Sequence, residues 1–207
     1  MSMSTTGARL DLSAPHLGAG WRWFCEPARW AIDTERRCLR IEPDASTDFW
    51  QRTHYGFRAD TGHFLYSDVA GDFVLTGHFR FRPANQYDQV GLMVRLSADC
   101  WLKTSVEFEP HGPSRLGAVV TNAGFSDWST QDFPPDRGEV CLRVRREAND
   151  YIVEAGPDGR SWSQIRMARL HEDDGQRSVL CGPYACSPKA AGYVAEVAQL
   201  SVDPGRI

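Results

Sequence analysis

The chain has 207 residues, 42% of them hydrophobic and 24% charged, the composition of a globular protein with enough apolar material to close a core. A formal net charge of −4 excludes a surface built to neutralise many phosphates, because nucleic-acid binding draws on clustered Lys and Arg; only Arg143, Arg145 and Arg146 approach such a cluster. The opening stretch "MSMSTTGARLDLSAPHLG" has neither the apolar segment of an export signal nor a membrane-spanning run, which predicts a cytoplasmic protein without a membrane partner.

In chain order, residues 1–13 are expected to be flexible, and 14–207 to form one domain. Helical periodicity is nearly absent, whereas period-two alternation between turn residues recurs from about Trp21 to Val202, the pattern of an all-β chain. "DFWQRTHYGFRADTGHFLY" reads as a polar loop crowded with Trp50, His54 and Tyr55, leading into a strand at His63–Tyr66. In "FVLTGHFRFRP", Phe73, Leu75, Phe79 and Phe81 share one face and Thr76, His78, Arg80 and Arg82 the other, as in a half-buried antiparallel strand. "QVGLMVRL" and "WLKTSVEF" repeat the design, with Val90, Leu92, Val94 and Leu96, then Leu102, Val106 and Phe108, facing inward. "RLGAVVTN" follows, then a loop in "NAGFSDWS". The remaining strands are "EVCLRVRRE", "YIVEAG", "WSQIRMARL", "SVLCGPYACS" and "YVAEVAQLSV". Asp158-Gly159 closes a hairpin, and the terminal "DPGRI" is expected to fray. Two antiparallel sheets packed as a sandwich account for this spacing.

The six cysteines, Cys25, Cys38, Cys100, Cys141, Cys181 and Cys186, are expected as free thiols in a reducing compartment. No CxxC pair suggests zinc, and neither a metal nor a cofactor is predicted. Cys186 has no neighbouring base in sequence that would make it a nucleophile.

Taken together, "YDQVGLMVR", "WLKTSVEFE", "VVTNAGFSDWS", "DGRSW" and "GPYACSP" resemble the DUF1349 family, whose members are also labelled regulation-of-enolase-like. The resemblance runs from about Gly20 to Val202. It implies a concanavalin A-like jelly roll, with one sheet forming a concave groove, in the superfamily that contains lectins and glucanases. Retaining glucanases of that superfamily carry three alternating carboxylates on one strand. Here only Glu107-Phe108-Glu109 answers to that motif, and Pro110 is expected to turn Glu109 toward solvent.

Alternation puts Trp101, Lys103, Ser105 and Glu107 on one face of their strand, beside Gln89, Gly91, Met93 and Arg95 of its neighbour. An indole among an amide, an ammonium and a carboxylate suits a sugar: a plate for its C–H face and fixed polar groups at its edge. The candidate binding residues are Trp101 for stacking, Gln89, Lys103 and Glu107 for orientation, and His54, Tyr55, Asp127, Trp128 and Tyr184 for the rim. Lys103 would also favour an anionic group. The expected function is a non-catalytic module that binds a sugar or a related, possibly anionic, metabolite. One alternative is a glycoside hydrolase using Glu107; another is a protein-interaction domain that modulates a metabolic enzyme.

Overall fold

The computed structural model describes residues 7–134 and 136–205. In chain order its strands are β1 (Ala8–Arg9), β2 (Arg22–Phe24), β3 (Arg29–Asp33), β4 (Cys38–Glu42), β5 (Phe49–Gln51), β6 (Arg58–Asp60), β7 (His63–Val69), β8 (Phe73–Arg82) and β9 (Gln89–Ser97). They continue as β10 (Cys100–Glu107), β11 (Ser114–Asn122), β12 (Phe125–Phe133), β13 (Glu139–Glu147), β14 (Asp150–Gly156), β15 (Ser163–Arg169), β16 (Val179–Cys186) and β17 (Val194–Pro204). The first sheet runs β15-β14-β13-β8-β17-β4-β3, with β1 on β17, and the second runs β12-β11-β10-β9-β16-β7-β2. Every pairing between these strands is antiparallel; outside them Ala45 and Ser187 form an isolated parallel bridge. This is the predicted all-β jelly-roll sandwich.

The core lies between the sheets. Phe73, Leu75 and Phe79 of β8, Leu92 and Val94 of β9, Leu102 of β10 and Leu142 and Val144 of β13 are fully buried in one cluster. Each such side chain contributes about 1.5–3 kcal/mol by leaving water. The inward set read from alternation therefore holds, except at Phe108, which lies beyond the end of β10 and is only half-buried.

Three local expectations need correction. The stretch 1–13 is not wholly flexible: Ala8 and Arg9 pair with Val202 and Ser201, and Leu10 and Leu12 enter the core, while residues 1–6 lie outside the described residues. The end does not fray at Asp203, because Asp203 and Pro204 pair with Val74 and Phe73 and the Gly205 amide donates to Asp72 O at 2.9 Å; Arg206 and Ile207 are outside the described residues. Ser126, Asp127 and Trp128 are not in a loop. The turn is only Ala123-Gly124, with φ of 51° and 71°, the two left-handed residues of a tight hairpin, so β12 has already begun.

A second cluster sits on the outer face of the second sheet, made of Phe49, Trp50, Phe64, Met93, Trp101, Val119, Tyr184 and Cys186. It exists because β5 and β6 form a separate two-stranded sheet that lies across this face. The Asp60 carboxylate receives both Arg95 Nη atoms at 2.7 Å, Gln51 Nε2 donates to Ala98 O at 3.2 Å and the Gln51 amide to Ser126 Oγ at 2.9 Å. Phe49 then packs 6.2 Å from the Trp101 ring and 6.1 Å from Tyr184. An indole on the polar side of a strand is thereby explained: the chain folds back over it.

Candidate functional site

Register brings the polar groups together. In the β9–β10 pair Lys103 faces Met93 and Glu107 faces Gln89, while β16 puts Tyr184 against Gly91 and Cys186 against Gln89. Gln89, 1% exposed, is the hub. Its Oε1 accepts from Lys103 Nζ and from the Tyr184 hydroxyl, both at 2.9 Å. An ammonium can only donate, so the amide orientation is fixed and Nε2 must point the other way. Nε2 donates to Glu107 Oε2 at 3.1 Å and to the Tyr87 carbonyl at 3.2 Å. Lys103 Nζ also reaches Asp48 Oδ1 at 3.4 Å. Four side chains from three strands and one carboxylate from the β5 approach thus form a single connected network.

Above this floor opens a cavity of about 520 Å³. Lys103, Glu107, Asp48 and Glu109 supply its charged lining, Trp50, Tyr55, Phe57, Tyr87 and Trp128 its aromatic walls, and Lys189 stands at its edge. The walls brace one another: Trp50 meets Trp128 edge-on at 6.4 Å and Tyr55 at 5.4 Å. Tyr87 is held in the left-handed region, φ 70°, a strained state that persists where surrounding bonds over-determine it; here its amide donates to Phe108 O at 2.8 Å. Lys189 lies 5.1 Å from the Tyr87 ring.

Glu107 is the chemically distinctive group. Burial raises its pKa to about 7; Asp48 and Glu109 push in the same direction, and Lys103 and the Gln89 hydrogen bond oppose them only in part. With Oε2 committed to Gln89, the remaining oxygen can offer the cavity lone pairs or a proton near neutral pH. Burial also lifts the Tyr184 hydroxyl and the Cys186 thiol well above their usual values, so both are neutral structural groups.

The sequence-predicted residues separate into three sets. Lys103, Glu107, Tyr55 and Trp128 line the cavity. Gln89 and Tyr184 lie beneath it, 1% and 0% exposed, and act through the residues they hold. Trp101, His54 and Asp127 are not in it. Trp101 is 0% exposed, its indole N–H donates to Ala98 O at 3.1 Å, and Phe49 covers it, so it cannot stack on a ligand. His54 and Asp127 border a neighbouring depression, where Asp127 pairs with Arg166 at 2.9 Å. Glu109, expected to face solvent, is half-buried, accepts from Gln86 Nε2 at 2.9 Å and lines the cavity with Glu107. Asp48, Phe57, Tyr87 and Lys189 were absent from the predicted set. They come from loops and from a hairpin whose strands of three residues are too short to show a period.

All six cysteines are free, Cys25 exposed and the others buried. Among the described residues no three His, Cys, Asp or Glu side chains are grouped to hold a metal ion. Among the same residues no helix is long and apolar enough to cross a membrane.

Known proteins similar to this chain agree with the fold. It is 34% identical over 170 residues to regulation of enolase protein 1 of Saccharomyces cerevisiae, a match covering 82% of each chain. A functionally unknown protein from Saccharomyces cerevisiae superposes with a TM-score of 0.83 at 30% identity, covering 91% of this chain and 98% of that one. Xylan beta-1,4-xylosidase from Bacillus halodurans C-125 is similar in fold alone, with a TM-score of 0.75 at 11% identity over 98% of this chain and 40% of the enzyme. The family model described as protein of unknown function (DUF1349) matches residues 23–205, and with it the chain belongs to that family.

Proposed function

We propose that the protein is a binding module for a neutral sugar or sugar-like polyol, held in the cavity between Trp128 and the Lys103–Gln89–Glu107 floor. The observation that carries this reading is the pairing of aromatic walls with a pre-organised polar floor in a space of about 520 Å³, the composition that suits the apolar face and hydroxyl edge of a pyranose. Trp128 takes the stacking role expected of Trp101. Glu107 accepts or donates to a ligand hydroxyl. An anionic ligand is disfavoured, because the Lys103 ammonium is already engaged by Gln89 and Asp48 and three carboxylates share the lining. The unbridged, mostly buried thiols support work in a reducing, cytoplasmic compartment.

Calorimetric titration with neutral mono- and oligosaccharides and, separately, sugar phosphates tests the proposal. Saturable binding of a neutral sugar, lost in Trp128→Ala, supports it. Binding of phosphorylated sugars alone would overturn the neutral class, and heat unaffected by Trp128→Ala would overturn the site.

A second reading, a surface for a protein partner, is favoured by two observations: the name of the Saccharomyces cerevisiae relative and the exposure of Tyr55 and Phe57, at 57% and 46%, in the cavity wall and of Phe125, at 58%, in the neighbouring depression. Affinity capture with a Phe125→Ser variant, altered outside the cavity, separates it from sugar binding: loss of the partner with sugar binding retained supports this reading.

A further inference from the structure

On the other side of the sandwich, the outer face of the first sheet holds a cavity of about 620 Å³ lined by Arg36, Arg40, Arg80 and Arg82. Its floor is a single cross-strand row: Glu139 of β13 faces Arg80 of β8, Arg80 faces Glu196 of β17, and Glu196 faces Arg40 of β4. Glu196 is taken by Arg36 at 3.0 Å and, more loosely, by Arg80 at 3.8 Å. Glu139 is turned to His78 at 3.1 Å. Two guanidiniums are therefore left over. Arg82 is exposed and makes no ion pair among the described residues. Arg40 is more telling, since its Nε is buried and has no hydrogen-bond partner among them.

A buried guanidinium N–H cannot escape its unmet demand by losing the proton, because arginine stays charged. An acceptor brought against Arg40 relieves it. The guanidinium fork matches the paired oxygens of a phosphoryl group. Arg40 and Arg82 stand on strands separated by β17 and are offset by two residues along them, so their backbones are about 12 Å apart, a span for two linked anionic groups rather than one. We propose that this groove is a second binding site, for a small multiply charged oxyanion of the di- or triphosphate class, with Arg40 and Arg82 taking the anion and Glu196 holding Arg36 and Arg80 in place.

The test is calorimetric titration of the full chain with pyrophosphate and tripolyphosphate at constant ionic strength. Saturable one-to-one binding is expected, weakened about tenfold by Arg82→Gln, the usual effect of removing one charge-assisted hydrogen bond. Arg40→Met should act in the same direction, with thermal unfolding recorded for both variants; Arg82 is exposed, so its replacement leaves the fold intact. Arg22→Gln, the same charge change at an exposed position of β2 in the second sheet, should leave affinity unchanged. Absence of saturable binding would overturn the proposal, as would equal weakening by Arg22→Gln, which marks diffuse charge attraction. Binding of an oligoglutamate peptide with none of pyrophosphate would overturn the small-anion class.

Discussion

Glu107 ties the site to pH. Its folded pKa of about 7 stands above the ordinary 4.5, so between those values the folded chain binds more protons than the unfolded one, and stability falls as pH rises through that window. Glu107→Gln removes the effect. At pH 4, below the unfolded value, the variant and the parent should unfold alike, and at pH 8 the variant should be more stable by up to about 3 kcal/mol, read as a difference in urea midpoints. Equal pH profiles would mean that Glu107 ionises freely. Trp101 carries the opposite lesson. Trp101→Ala should cost about 3–5 kcal/mol of stability, whereas Trp128→Ala should cost far less, and urea denaturation of the pair distinguishes a core indole from a cavity wall. Alternation showed correctly that Trp101, Lys103 and Glu107 share a face. It could not show that the face is covered at one end, because the cover is non-local.

That cover, the β5–β6 hairpin, sets the shape of the cavity. Two strands of three residues each have little stability alone, and the hairpin persists because it is strapped down at Arg95–Asp60, at Gln51 and at Arg58–Asp99, 3.0 Å apart. Asp60→Asn weakens the pairing of Arg95, itself only 6% exposed. Hydrogen exchange in β5 and β6 should then quicken about tenfold or more while β8 and β13 keep their protection. Exchange that rises equally in both sheets would show that the hairpin has no separate opening. The long strands other than β12 were legible because each alternates over seven or more residues; β12 was not, since its nine residues FSDWSTQDF are mostly polar and exposed, nor were β5 and β6, whose placement depends on partners far away in sequence.

For the molecule as a whole, the least legible feature is Arg146. In sequence it completes a basic cluster with Arg143 and Arg145, yet those two reach out to Glu154 at 2.7 and 3.2 Å while Arg146 turns inward. It is bound there by Asp173, which also takes the Tyr151 hydroxyl, and it donates to Gly71 O at 2.9 Å and Arg177 O at 3.0 Å. This clasp fastens the 170–178 connection to the sandwich. Asp173→Ala leaves a buried cation and should cost about 3–5 kcal/mol, whereas Arg146→Met with Asp173→Leu together should recover most of that loss; chemical denaturation of both variants is the check. The framework so held presents one face with aromatic walls and acidic groups and another with arginines, and the first is the proposed sugar site. Its most direct test is difference electron density after crystals are soaked in the tightest-binding neutral sugar: the account predicts a ring against Trp128 with a hydroxyl on Glu107, and density elsewhere, or none at saturating concentration, would contradict it.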